Sequence, residues 1–200
     1  TVYGQSETLP IREDEPLKPA TSPYGNTKKI GEQIILDCCK ANPEFNSILL
    51  RYFNPIGAHS SAKIGEYPNG VPQNLVPFLT QTVKGLRPIL KVFGSSYDTP
   101  DGTCIRDYIH VMDLAEEHLL GLNKLSQSQL SEVYNIGNSQ GFSVREIIGA
   151  AKKITGKKMD IEIQSRRKGD PAKLVADNQK IKSELNWTAK NSDLDKIISS

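Results

Sequence analysis

The 200-residue chain is short of cysteine, tryptophan and methionine, and neither sign of charge is in excess. Its three cysteines, Cys38, Cys39 and Cys104, form no Cys-x-x-Cys, and the adjacent pair cannot easily bridge to itself. That excludes a disulfide-stapled scaffold and reads as a reduced, cytoplasmic protein. His59, His110 and His118 lack metal-ligand spacing, so no structural or catalytic metal is expected. A net charge of +2 gives no general attraction to nucleic acid or to a membrane surface. No apolar run reaches the ~18–20 residues that a membrane-crossing helix needs. There is no internal repeat, no low-complexity stretch and no Gly-x-Gly-x-x-Gly. The chain opens on Thr1 without Met, and its last helical pattern stops at Ser200, so the expectation is an internal segment cut at both ends.

What is there is an alternation of helix-period and strand-like segments, the pattern of an α/β protein. Ser22 followed by Pro23 starts a helix whose apolar face is Ile30, Ile34, Ile35 and Cys38, and Asn42-Pro43 ends it. Residues 47–53 read as a buried parallel strand and 54–59 as the turn at its carboxyl end, where open α/β sheets bind ligands. After a polar loop over 60–73, Leu75 to Val83 has helical period and Gly85 stops it; Ile89 to Phe93 is a strand. The stretch 95–103 is a loop, and 106–111 alternates as a strand. Asp113-x-x-Glu116 and Ser143-x-x-Glu146 are spaced as capping boxes for two further helices, the second closed by Gly156. Strands are expected over 132–136 and 160–163, a short helix over 178–185 with Trp187 packed beyond it, and a last helix from Asp193. Gly137-Asn138-Ser139-Gln140-Gly141 reads as a turn.

The chemically suggestive pair is Tyr24 and Lys28, which share one helix face at a spacing of four. A free phenol ionises near pH ~10, and a nearby ammonium favours its anion, so the pair holds the parts for taking a proton from a hydroxyl. Spacing alone decides nothing: 7 Tyr and 18 Lys in 200 residues give about 0.6 such pairs by chance, and the plain alternative is a packed tyrosine beside an exposed lysine.

Longer motifs shift that balance. Thr1-Val2-Tyr3-Gly4, Ser22-Pro23-Tyr24-Gly25-Asn26-Thr27-Lys28, the run from Leu50 through Arg51-Tyr52-Phe53-Asn54-Pro55-Ile56-Gly57-Ala58 to His59, and the run from Asp101 to Ala115 containing Arg106-Asp107-Tyr108-Ile109-His110-Val111 resemble the extended short-chain dehydrogenase/reductase family. Within it they are most similar to the UDP-hexose (UDP-glucose/UDP-galactose) 4-epimerases. Glu132 to Gly137, Arg166-Arg167-Lys168-Gly169-Asp170 and Leu185-Asn186-Trp187 follow in the same order, so the resemblance covers essentially the whole chain.

The resemblance implies NAD-dependent 4-epimerisation of a UDP-sugar through a transient 4-keto sugar. Tyr24 would be the base and Lys28 its supporting cation; Tyr24, Lys28 and Phe53 would border the NAD. Arg106 and Arg167 would bind the diphosphate with help from Asn54, Asn74 and the backbone of Leu75. Phe93 and the backbone of Lys91 would contact uracil, Asp170 the ribose, and Phe53 the sugar cleft. Leu174 stands where many bacterial members carry a tyrosine, which implies room for an N-acetyl group. A serine or threonine that bonds the reacting hydroxyl and the glycine-rich NAD turn would both lie upstream of Thr1, so the 200 residues alone are expected to be inactive.

The implied fold is the C-terminal portion of a Rossmann-like, doubly wound parallel sheet plus a smaller α/β substrate-binding domain. Residues 1–60 would belong to the former and 61–200 mainly to the latter, with Arg106–Ile136 contributing back to the first. A homodimer through the face that includes the Tyr24 helix is implied too. Three alternatives stay open: a related nucleotide-sugar dehydratase or decarboxylase, a non-catalytic UDP-sugar-binding portion, and a merely structural reading of single residues. In that last reading Arg106–Asp107 is a surface ion pair, Phe93 is plain core, Asp170 is a turn residue and His110 is a satisfied strand histidine.

Overall fold

Ser22 ends a turn-rich opening and caps the first helix, α1 (Pro23–Ala41). Its Oγ accepts the Gly25 N–H at 3.0 Å, and Pro23 occupies the first helical position, where the missing N–H costs nothing. The computed structural model describes residues 1–128 and 131–200. The expected apolar face of α1 is largely uncovered: Ile30 and Ile34 are 49% and 58% exposed and Cys38 is exposed too, while Ile35 is half-buried. The helix is held by its polar side instead, where Lys29 Nζ donates to the carbonyls of Leu17 and Lys18 and Glu32 engages Arg51.

Strand β1 (Ile48–Tyr52) runs parallel to β5 (Glu132–Ile136), with Leu50 opposite Tyr134. It is half-buried rather than fully buried, with Leu49 its one buried residue. The Phe53 N–H still donates to Ile136 O at 3.0 Å, after which the chain changes partner. Residues expected to be a turn form a second short strand, β2 (Asn54–Ile56), parallel to β4 (Ile105–His110). The turn begins only at Gly57, with φ +87; a Cβ there would lie 2.8 Å from the His110 ring. A change of pairing partner leaves no trace in side-chain alternation, which is why the strand was legible and its continuation was not.

Strand β4 is the hub. Beyond β2 it pairs antiparallel with β6 (Gly141–Ser143) and parallel with β8 (Lys173–Leu174). A separate parallel pair joins β3 (Ile89–Phe93) to β7 (Asp160–Gln164). The remaining helices are α2 (Leu75–Val83), α3 (Val111–Gln127), α4 (Val144–Thr155), α5 (Gln179–Leu185) and α6 (Leu194–Ser199).

Two cores meet at β4, because successive side chains on a strand point to opposite faces. Tyr108 packs into one with Ile56, Leu79, Leu90, Val92 and Ile147. Ile109 packs into the other with Leu114, Tyr134, Ile136, Ile181 and Trp187. A third, smaller cluster of Val2, Tyr3 and Ile11 takes in Phe53 and Leu174.

The two spaced capping boxes fare differently. Ser143 and Glu146 form theirs reciprocally, and Gly156 ends α4 in the left-handed region at φ +65. Asp113 does not cap α3. The helix starts three residues earlier, capped by His110, whose Nδ1 accepts the Met112 N–H at 3.1 Å. Asp113 is buried and accepts the backbone and side-chain N–H groups of Asn191, while Glu116 pairs with Lys190.

Asp107 is fully buried and faces no cation. Its carboxylate accepts the N–H groups of Asn138, Ser139 and Ala176 at 2.7, 3.1 and 3.0 Å, fastening the turn after β5 and the strand end after β8 to β4. Burial pushes its pKa up to about 6 against those three donors. The surface Arg106–Asp107 pair is therefore excluded.

Candidate active site

The helix cap at Ser22 sets Tyr24 in the first turn of α1, where its ring is 63% exposed. Lys28 Nζ lies 5.3 Å from the centre of that ring, so phenol and ammonium do share a face. Both project from the protein rather than into it, and neither enters a salt bridge among the described residues.

Alternate residues of β3 point outward, which places Lys91 and Phe93 on one exposed face. Phe93 is 38% exposed, so it is not plain core, and the Arg167 guanidinium lies 5.1 Å from its ring centre. Arg167 Nε donates to Asp170 Oδ2 at 2.7 Å. The other oxygen of Asp170 is 3.7 Å from Arg106, whose side chain is only 12% exposed and otherwise bonds its neighbour's carbonyl at Ile105. Asp170 is thus more than a turn residue. Two guanidiniums share this one carboxylate, which leaves a positive excess beside an exposed aromatic ring, a setting suited to an anion that carries a planar group.

Leu174 on β8 sits opposite Arg106 on β4, and it shares the small third cluster with Phe53. Asn54 opens β2 and is half-buried. Asn74 precedes α2 at its N-cap without a side-chain capping bond, so its amide is free to turn outward, and Leu75 is the first helical residue. The structure therefore brings Phe93, Arg167, Asp170, Arg106, Leu174 and Phe53 into one continuous set. Tyr24 and Lys28 are joined to it indirectly: a Cβ placed on Gly169 would lie 3.8 Å from Thr21, the residue before the α1 cap. His110 is satisfied, as cap and not as catalyst.

One group that grips α1 left no spacing signal in the sequence. Arg51, inside an otherwise apolar strand, is 10% exposed and pairs with Glu32 of α1. An arginine in such a run has to find a buried acceptor, and that was the available signal.

The described residues hold no cluster of three or more metal-ligating side chains and no helix long and apolar enough to cross a membrane.

Known proteins resemble this chain along nearly its whole length. The family model described as GDP-mannose 4,6 dehydratase matches residues 1–199. A UDP-glucose 4-epimerase of Dictyostelium discoideum is 52% identical over 190 residues, covering 94% of this chain and 55% of that protein. The UDP-glucose 4-epimerase of Bacillus subtilis is 50% identical over 190 residues, 95% of this chain and 56% of its own. Among solved structures, the UDP-glucose 4-epimerase of Bifidobacterium longum in complex with NAD+ and UDP superposes with a TM-score of 0.94 at 42% identity, over 100% of this chain and 59% of that one. The chain spans a little over half the length of these relatives. It belongs to the extended short-chain dehydrogenases/reductases, in the family that the GDP-mannose 4,6 dehydratase model describes and among relatives named UDP-glucose 4-epimerase.

Proposed function

We propose that the protein interconverts UDP-galactose and UDP-glucose by inverting C4 of the hexose, and that these residues supply the base and the substrate clamp. The observation that carries this reading is the Arg106–Asp170–Arg167 arrangement beside Phe93, with Tyr24 and Lys28 paired on the helix that follows Thr21, a neighbour of Gly169. Relatives at 50–52% identity named UDP-glucose 4-epimerase support it.

The diphosphate competes with Asp170 for the two guanidiniums. As it takes them, the carboxylate is released to accept the uridine ribose hydroxyls. Phe93 stacks on uracil, with the backbone at Lys91 at its edge. Asn54, Asn74 and the N–H at Leu75 add neutral bonds to the phosphates, helped by the start of α2. Tyr24 takes the proton of the sugar 4-hydroxyl as the C4 hydride leaves, and Lys28 stabilises the charge involved. The 4-keto sugar then turns over beside Phe53 and Leu174, and Tyr24 returns the proton.

Bound NAD would accept the hydride and give it back to the opposite face. Tyr24 and Lys28 would hold its nicotinamide ribose, since both are free of ion pairs among the described residues, and Phe53 would border the bound group. No residue here fits the role of a Gly-x-Gly-x-x-Gly pyrophosphate cradle, so none is assigned it.

The two cores meeting at β4 support a division in which β1, β5 and α3 belong to the cofactor side, joined by α5, which was expected on the other, and α2, β3, α4 and α6 to the substrate side. The outward stripe of Ile30 and Ile34 suits a homodimer, and three free thiols suit the cytoplasm. NMR of the products formed by the full-length gene product from UDP-galactose tests the reading. UDP-glucose supports it; a 4-keto-6-deoxy sugar would assign a dehydratase instead.

A further inference from the structure

Arg51 spends its guanidinium on three other segments at once. Nε and Nη2 donate in parallel to Glu32 Oε1 and Oε2 at 2.9 and 2.6 Å, the two-pronged geometry that fixes orientation as well as distance. Nη1 donates to Tyr3 Oη at 2.9 Å and to the Glu13 carbonyl at 3.2 Å, and the group lies 4.8 Å from the Tyr3 ring centre. Tyr3 in turn donates to Asn135 of β5 at 2.5 Å. Both partners of the ion pair are nearly buried, at 10% and 12% exposure.

The direction of this grip matters more than its strength. Tyr24, Lys28 and Glu32 are spaced by four, and at about 100° per residue they fall within one face of α1. The carboxylate that Arg51 holds therefore lies on the face of the phenol and the ammonium. Arg51 itself precedes Phe53 and Asn54 by two and three residues on the strand that lines the site. The pair fixes how far α1 is rotated about its own axis relative to that strand. A side-chain atom about 6 Å from a helix axis moves about 1 Å for every 10° of rotation. A misplacement of that size at a reacting group is enough to cost ~100-fold in rate. A buried ion pair gains little stability over apolar packing, so orientation is what this one supplies.

We infer that Arg51 is a positioning residue for the base: through Glu32 it holds the Tyr24–Lys28 face of α1 in register with Phe53 and Asn54. The inference rests on the epimerase reading for its kinetic consequence, but its structural half can be read separately.

The test compares Arg51→Met, Arg51→Lys and Glu32→Gln in the full-length gene product with Lys180→Met, which breaks the unrelated Lys180–Glu132 pair. Arg51→Met is expected to lower kcat for UDP-galactose at least 30-fold while KM stays within threefold, and to speed amide exchange over residues 24–32 but not in α4. Arg51→Lys recovers at least a third of the lost factor on a logarithmic scale. Lys180→Met leaves kcat within twofold. A folded Arg51→Met with kcat within threefold of the parent overturns the inference, as does a loss that falls mainly on KM. If Arg51→Met does not fold, Glu32→Gln is held to the same limits. If the parent turns over no UDP-galactose, the epimerase reading fails by itself. Exchange then decides the anchor: faster exchange confined to 24–32 keeps it, and unchanged exchange overturns it.

Discussion

Glu117 of α3 is fully buried, and neither carboxyl oxygen has a hydrogen-bond partner among the described residues. Burial pushes its pKa up to about 9, and the nearby carboxylates of Asp113 and Glu116 push the same way. The folded protein thus keeps a proton that the unfolded chain, titrating near 4.5, gives up. Stability is full below the unfolded value and is lost as pH rises, at about 1.4 kcal/mol per pH unit, until the folded value is passed. Between 4.5 and 7 that amounts to an upper limit of about 3 kcal/mol, which water reaching the carboxyl would lower. Asp107 moves in the same direction but only to about 6, so above pH 6 it adds nothing further to the loss, and comparison with a Glu117 variant isolates the part due to Glu117. Glu117→Gln keeps the shape without the charge. In urea unfolding of the full-length gene product followed by circular dichroism, the variant is expected to be more stable than the parent by at least ~1 kcal/mol at pH 7.5. The two should converge near pH 5. A Gln variant that is less stable at pH 7.5, or a difference that does not change between pH 5 and 8, would refute the reasoning.

Three other outcomes follow from single contacts. Ser143→Ala removes both the α4 cap and the bond that Ser143 Oγ donates to Asp101, and should cost ~1–2 kcal/mol in the same urea assay. Gly137→Ala would place its Cβ 2.5 Å from Asp107 Oδ2 and 2.7 Å from the Ala176 Cβ, and should cost ~1–3 kcal/mol. Leu174→Tyr narrows the space beside Phe53 and should lower kcat/KM for UDP-N-acetylgalactosamine at least ~10-fold more than for UDP-galactose, measured by coupled assay.

What the sequence disclosed was local. The Ser22 cap, the Ser143–Glu146 box with Gly156, and the limits of β3 and β5 depend on neighbouring residues, and they came out as read. The α3 start did not, because Asp113-x-x-Glu116 has capping-box spacing while its carboxylates are committed to Asn191 and Lys190 far along the chain. The apolar stripe of α1 was legible but its exposure was not: periodicity shows that a helix has an apolar face, not whether this chain covers it. Motif order proposed Arg106, Arg167, Asp170 and Phe93 for the site, but it gave no sign that one carboxylate is held between two guanidiniums. Arg51 and Glu32, nineteen residues apart on a strand and a helix, have no spacing rule to reveal them.

In the proposed reaction Tyr24 moves the proton of the sugar 4-hydroxyl. Tyr24→Phe removes one exposed oxygen and leaves the Arg106–Asp170–Arg167 clamp untouched, so binding and chemistry separate cleanly. In the full-length gene product, turnover of UDP-galactose by the variant should fall at least ~100-fold while its affinity for UDP, measured by calorimetry, stays within threefold. A Tyr24→Phe protein that makes UDP-glucose at a rate within threefold of the parent would contradict the account.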